Sequence, residues 1–470
     1  MNPNRLMLVE FFVALLMCVQ PPVTAAPSNS WVRVSNAFDR AIATAAFNKD
    51  GLERMQRPDY QYEIIGLGGT TMRPNPLEMT SPDAPGIPGD AGLDYRPYLG
   101  YEYWWDGNAH RVTPFELTGG YSDGLDTGNI LSFHHEQKLQ NSMFTINADL
   151  EVRGIRFHTR RQLFVTPEGV LVLRVTDGAG APQPFRLKFG LQQPWNQGSP
   201  GTRTAIYNSL LAEPQGASEM IEIARRTNAC TATLAIATDQ TGTVYVPEKD
   251  EVSTARAGEE TTFFLAPGSS YENDAPARSA WQKVEAARKK RFERLLDESR
   301  AWWRDFYGRS AVEVPDATVM KWFVRSLYYQ VFFGGNTKIP PGCFGTCPGG
   351  FEGCICPEFN LPFSQLALLY TDHVAEARNV TDWLIGILPK AEQLAHGASL
   401  YKTHVAYPGG GALYGTLIGY DGTLRLPGQE WEGEQLYSKY PEANCAAMAL
   451  AYLDWTQDAQ RQVTCLKILK

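Results

Sequence analysis

Long apolar runs are scarce in this chain. Beyond the first thirty residues no stretch approaches the ~20 consecutive apolar residues of a membrane-spanning helix, so no membrane span is expected. Basic charge is also short: 43 Lys and Arg face 51 Asp and Glu, for a net charge of -8. Nucleic-acid binding needs clustered cations, and the one basic run, Arg288–Arg291, reads as the solvated face of a helix. No nucleic-acid partner is expected. Phosphate-binding P-loops, dinucleotide fingerprints and nucleophile elbows are missing, as are repeats and low-complexity tracts. No cofactor is implied. The histidines His373, His396 and His404 fit no metal-ligand spacing and read as ordinary residues more readily than as proton shuttles.

The sequence opens with Arg5, an apolar run from Phe11 to Val19, Pro21–Pro22, and small residues Thr24, Ala25 and Ala26. That is the layout of a secretory signal peptide, 1–26, and it predicts a secreted or extracellular chain. Of eight cysteines, Cys18 would leave with the leader. Cys343, Cys347, Cys354 and Cys356 crowd a Gly/Pro-rich loop whose spacing is not that of a zinc knuckle. In an oxidising compartment they predict two local disulfides. Cys230, Cys445 and Cys465 leave one thiol over. Asn379-Val-Thr is a glycosylation sequon if the chain is secreted.

The chain changes class near residue 280. Before it, apolar alternation predicts strands. Glu151–Val165 alternates, with Arg160 and Arg161 expected on the exposed face; a turn over 166–169 leads to Val170–Val175. Phe185–Leu191, Ile221–Arg225, Ala232–Ala237 and Thr261–Leu265 continue at the spacing of a large antiparallel sandwich. Tyr95, Tyr98, Tyr101, Tyr103, Trp104 and Trp105 form an aromatic cluster suited to packing or to stacking a sugar. After residue 280 the period becomes helical. Trp281, Val284, Phe292, Leu295, Leu296, Trp302, Trp303 and Phe306 recur at three- and four-residue intervals. Asp316 is placed to cap a helix over Val319–Phe333, Ala375–Leu388 forms another, and Pro389 opens the next, stopped at Gly397. Glu442–Thr456 is helical, and Asp421-Gly422 reads as a turn. This divides the chain into a sandwich domain, 27–279, a linker helix, 280–312, and a helical domain, 313–470.

That order resembles a known group. A sandwich, a linker helix ending in AWWRDFYGRS, then AVEVPD and a helix ending in VRSLYYQ are similar to two-domain glycosidases with a β-supersandwich and an (α/α)6 barrel. The groups concerned are the maltose/kojibiose phosphorylase and acid trehalase family and the related α-L-fucosidase clan. ARNVTDWLIGILPKAEQLA and GQEWEGEQLYSKYPEANCAAMALAYLDWTQD resemble two later passages of that fold, over roughly 130–470 in all. The resemblance implies an N-terminal antiparallel β-supersandwich and a six-hairpin glycosidase-like barrel, incomplete in this chain. It also implies cleavage of glycosidic bonds in an oligosaccharide or glycan by hydrolysis or phosphorolysis with inversion.

The departures are specific. Where the phosphorylases carry Phe-Trp-Asp-x-Glu, this chain has Cys-Pro-Glu358-Phe359-Asn360. The asparagine pair of the fucosidases falls on Asn360, Pro362 and Ser364, which argues against fucosidase activity. No histidine lies between Tyr437 and Asn444. By resemblance the general-acid glutamate would lie past Lys470, leaving the catalytic residue unassigned and a sugar-binding, non-cleaving protein as the alternative.

Glycoside cleavage uses two carboxyl groups flanking the bond, one with a raised pKa. Glu430-Trp431-Glu432-Gly433-Glu434 alternates carboxylates around a tryptophan, so Glu430, Trp431 and Glu434 are candidate substrate contacts. A solvated acidic loop is the plainer reading. Glu358 and Asn360, following the cysteine loop, are further candidates, with a turn or helix cap as the alternative.

Overall fold

The computed structural model describes residues 43–47, 72–74, 99–101, 116–120, 129–139, 143–190, 220–226, 231–240, 244–246, 251–254, 256–310, 312–332, 340, 355–357, 360–396, 411–423 and 440–468. The signal segment, the aromatic cluster apart from β-strand residues 99–101, Cys343, Cys347, Cys354, Glu358, Glu430, Trp431 and Glu434 lie outside them.

Period-2 alternation in the first half builds fourteen strands in the described residues. Eight form one antiparallel sheet in the order β1-β5-β6-β7-β8-β14-β11-β10. These are β1 (Ala43–Phe47), β5 (Asn129–Lys138), β6 (Met143–Val152), β7 (Ile155–Val165), β8 (Leu171–Asp177), β10 (Met220–Arg226), β11 (Thr231–Thr238) and β14 (Thr261–Ser269). A second sheet of four orders β12 (Val244–Val246), β13 (Glu251–Ser253), β9 (Arg186–Gly190) and β4 (Glu116–Gly120). A small pair joins β2 (Met72–Pro74) to β3 (Leu99–Tyr101).

The two larger sheets meet face to face, with Phe185 against Phe263 at 5.8 Å between ring centroids. Arg161 overturns its sequence expectation. Neighbouring strand residues point to opposite faces, so with Arg160 exposed, Arg161 turns inward, where it is fully buried and its guanidinium lies 4.9 Å from the Phe185 ring. The apparent single strand 151–165 is also two strands, because Arg153 and Gly154 both take positive φ (53° and 76°) and reverse the chain as a two-residue hairpin turn.

The other face of the large sheet is covered by a helix, α1 (Pro276–Gly308), opened by Pro276 in its first turn. Ala280, Val284, Ala287, Phe292, Leu295 and Leu296 bury against Phe164, Val172, Ala235 and Phe264 of the sheet. At Arg291 the backbone leaves the helical region (φ 62, ψ 167), so α1 is two helical pieces joined at an elbow. The first piece and the start of the second, through Phe292, Leu295 and Leu296, lie on the sheet. The second carries Trp303, Phe306 and Tyr307 onward, and Trp303 stacks on Tyr328 at 5.0 Å.

Tyr328 belongs to α2 (Ala317–Phe332), whose start is capped as the sequence predicts: Val319 N donates to Asp316 Oδ1 at 3.2 Å. Among the described residues four more helices follow: α3 (Asn360–Tyr370), α4 (Val374–His396), α5 (Tyr440–Thr456) and α6 (Ala459–Ile468). One expectation fails here. Pro389 does not open a new helix; α4 runs through it. A proline inside a helix sacrifices a backbone hydrogen bond, but Ile387, Leu388 and Ala391 on either side share one buried core, and that packing keeps the helix continuous. No described helix is long and apolar enough to cross a membrane.

The chain is therefore a mixed β and α protein, antiparallel sheets first and helices after. Cys356, expected in a disulfide, is instead a buried thiol packed against Leu417, behaving as a small apolar side chain.

Candidate functional site

The direction of α3 and α5 decides where chemistry can gather. Leu361, near the start of α3, shares a core with Cys445 and Met448 near the start of α5. Leu368 and Leu369 share another with Ala451 and Tyr452. At the far ends Tyr370 meets Trp455 edge-on at 5.5 Å. The two helices thus run parallel, and their first turns lie at the same end of the molecule. Asn360 is the first residue of α3, two positions after Glu358. The acidic sequence with Glu430, Trp431 and Glu434 precedes α5 in the chain.

A platform formed by residues 411–423 stands at this end. Ile355 and Ile418 exchange two backbone hydrogen bonds, 2.9 and 3.0 Å, as an isolated antiparallel bridge. This ties the segment just before Glu358 to the platform. Leu413 N donates to Ala391 O at 2.9 Å, and the Trp383 indole N–H donates to Tyr420 O at 2.7 Å. Tyr414 is buried against α4, and burial pushes its phenol pKa well up, so it stays neutral. Asp421-Gly422 makes the expected turn: Gly422 takes φ +81° and donates to Gly419 O, while the Asp421 carboxylate accepts from Thr423 N at 3.0 Å. A Cβ at Gly422 would come within 3.1 Å of the Ile387 Cβ, so only glycine lets the turn lie this close to α4.

The platform also reaches the sandwich. Tyr271, in the turn after β14, packs its ring on Tyr420 at 4.8 Å and adjoins the helical core. Nothing in the sequence signals this contact, since the partners are remote and each reads as a loop tyrosine.

His373 is not part of this end. It is fully buried in the turn between α3 and α4, where Nε2 donates to Phe306 O at 2.9 Å and the ring lies 4.1 Å from the Phe306 ring. Nδ1 lies 3.0 Å from Thr371 Oγ1. Burial lowers its pKa, so the ring is held neutral. Beside it Arg309 pairs with the buried Glu376, and Ser310 Oγ donates to Thr371 O at 2.7 Å. This cluster joins the end of α1 to the helical unit and is a structural joint.

Asn379 is half-buried on α4, and the sequon's Thr381 is buried, its hydroxyl accepting from Gln365 Nε2 at 3.0 Å. A cleft of about 440 Å³ lies between α5 and α6, lined by Leu450, Leu453, Asp454, Asp458 and Leu466 among others. It lies along the second half of α5, away from that helix's first turn. Of its lining residues, Asp458 is held in a network: Arg461 bridges it to Asp382, and Tyr452 donates to it at 2.9 Å.

No protein-family model matches the chain, and no curated protein matches it. Among solved structures, one described as a kojibiose phosphorylase from the human microbiome superposes with a TM-score of 0.67 at 12% identity, over 91% of this chain and 59% of that one. A bacterial glucoamylase complexed with acarbose gives a TM-score of 0.38 at 11% identity, over 73% of this chain and 51% of that one. The first likeness is one of fold, and this chain spans 59% of that neighbour's length.

Proposed function

We propose that this chain is a carbohydrate-active protein of the sandwich-plus-helical-barrel type. It takes an oligosaccharide or glycan at the end of the helical unit where α3 and α5 begin. One observation carries the reading: parallel packing of α3 and α5, with the Ile355–Ile418 bridge, gives two acidic sequences departure points at the same end. The likeness of fold to a kojibiose phosphorylase supports the substrate class. In this reading Glu358, Asn360, Glu430 and Glu434 hydrogen-bond sugar hydroxyls and Trp431 stacks on a pyranose face. Cleavage of the glycosidic bond, by water or phosphate with inversion, adds a carboxyl pair ~6.5–9.5 Å apart. Cleavage of the leader within 1–26 and secretion belong to the same proposal.

The test is a panel of glucose disaccharides including kojibiose, with and without inorganic phosphate. Sugar release and tryptophan fluorescence are followed together. The expected outcome is saturable binding that Trp431→Ala weakens by about tenfold. Release of sugar by the chain would establish cleavage. Binding without release would establish recognition alone, and no binding across the panel would refute the carbohydrate reading.

A further inference from the structure

Among the described residues, Tyr271 of the sandwich reaches the 411–423 platform. Tyr271 sits in the turn that leaves β14, before α1 begins. Its backbone N–H donates to Ser269 Oγ at 3.2 Å, and Lys283 Nζ from α1 pairs with the neighbouring Glu272 at 3.2 Å. The turn is thus anchored to the sandwich and to the first piece of α1. From it the Tyr271 ring reaches Tyr420 on the platform.

Tyr420 has a second restraint on its other side. Its carbonyl takes the Trp383 indole N–H from α4 at 2.7 Å. Tyr420 is therefore held between a residue of the sandwich and one of the helical unit. It also lies between Ile418, which pairs with Ile355, and Thr423, the last described residue before the acidic sequence.

We propose that Tyr271 is a positioning residue for the site: the sandwich sets the height and tilt of the 411–423 platform through the Tyr271–Tyr420 contact. The inference rests on the carbohydrate reading for what the site binds, but not for the mechanical coupling. Tyr271 acts through Tyr420 and touches no substrate. The sandwich thereby has a role in recognition beyond supporting α1.

The experiment compares hydrogen exchange in the full chain, Tyr271→Ala and Tyr271→Phe, together with Trp383→Phe, which removes the indole donor. Disaccharide binding is measured on each. Peptides over 411–423 should exchange roughly tenfold faster in Tyr271→Ala, the loss of one aromatic pair. Exchange in β7 and β8 should stay unchanged, and Tyr271→Phe should restore the platform. Sugar affinity should fall in Tyr271→Ala, recover in Tyr271→Phe, and fall again in Trp383→Phe. Unchanged exchange over 411–423 in Tyr271→Ala would overturn the coupling. Faster exchange with undiminished sugar affinity would overturn the positioning role. A wild-type chain that binds no sugar, while Tyr271→Ala still loosens the platform, would refute the carbohydrate reading and leave the coupling standing.

Discussion

Arg309 holds both carboxylate oxygens of Glu376 with a single guanidinium nitrogen, Nη1 lying 2.8 Å from one and 2.9 Å from the other. The pair spans the joint between the end of α1 and the start of α4. Glu376 is almost wholly buried while Arg309 is about a third open to water and also pairs with Asp305. Removing the arginine would strand a buried charge.

Arg309→Met should therefore cost about 2 kcal/mol, below the usual penalty for a broken buried pair because Arg309 is partly solvated. Glu376→Gln in the same background should recover part of the loss, since no charge is then left buried. Urea denaturation of the single and double variants measures both; an unchanged midpoint in Arg309→Met would refute the role given to the pair.

The same joint predicts a dependence on pH. Burial lowers the His373 pKa from the ordinary 6.5, Glu376 acting against that shift and Arg309 with it. Below 6.5 the unfolded chain takes up a proton that the folded chain resists. This contribution to stability is complete above pH 6.5 and is lost as pH falls through the folded-state value. His373→Gln keeps an N–H for Phe306 O but cannot titrate. Its unfolding free energy should be flatter than the wild type's just below pH 6.5, measured by urea titration at successive pH values.

Gly268 packs where β14 turns toward α1. A Cβ there would strike Pro276 O and come within 2.6 Å of Thr233 Oγ1. Gly268→Ala should destabilise the fold by about 1–3 kcal/mol through overpacking, read as a lowered thermal midpoint. A midpoint equal to the wild type's would show that the backbone at this corner yields.

The cysteines offer a chemical check. Cys356, Cys445 and Cys465 are buried thiols, and burial raises the Cys465 pKa, which disfavours its reactive thiolate. Alkylation followed by peptide mass mapping should leave all three unmodified in the native protein and modify all three in urea. A disulfide-linked peptide containing Cys356 would show that the loop is stapled after all.

Several of these features were readable in the sequence, and the reason differs from one to the next. The cap at Asp316 and the turn at Asp421-Gly422 are local: a side chain serves backbone groups two or three residues away. The buried stripe of α1 follows from its period, although the elbow at Arg291 does not, because nothing in an arginine announces a positive φ. Charge alone places Arg161 outside, whereas its neighbour Arg160 already occupies the outer face. Propensity alone makes Pro389 a helix start, and the surrounding core overrides it. Arg309 and Glu376 stand 67 positions apart, and Tyr271 and Tyr420 farther still. Such pairings are set by packing, and no spacing rule reaches them. Of the candidate sugar contacts, only Asn360 falls within a described element, at the head of α3.

Parallel α3 and α5 have an electrostatic consequence. Each helix carries a partial positive charge at its amino end, and two such ends on one side add rather than cancel. A carboxylate held near either first turn is favoured as the anion by about 0.3–1 kcal/mol. Glu358 and Asn360 sit in sequence at one of these ends, and the acidic sequence precedes the other. This end therefore suits groups that must stay charged: acceptors for sugar hydroxyls, or a base. A proton donor works against the same field and is better served by a carboxyl group held away from both helix starts.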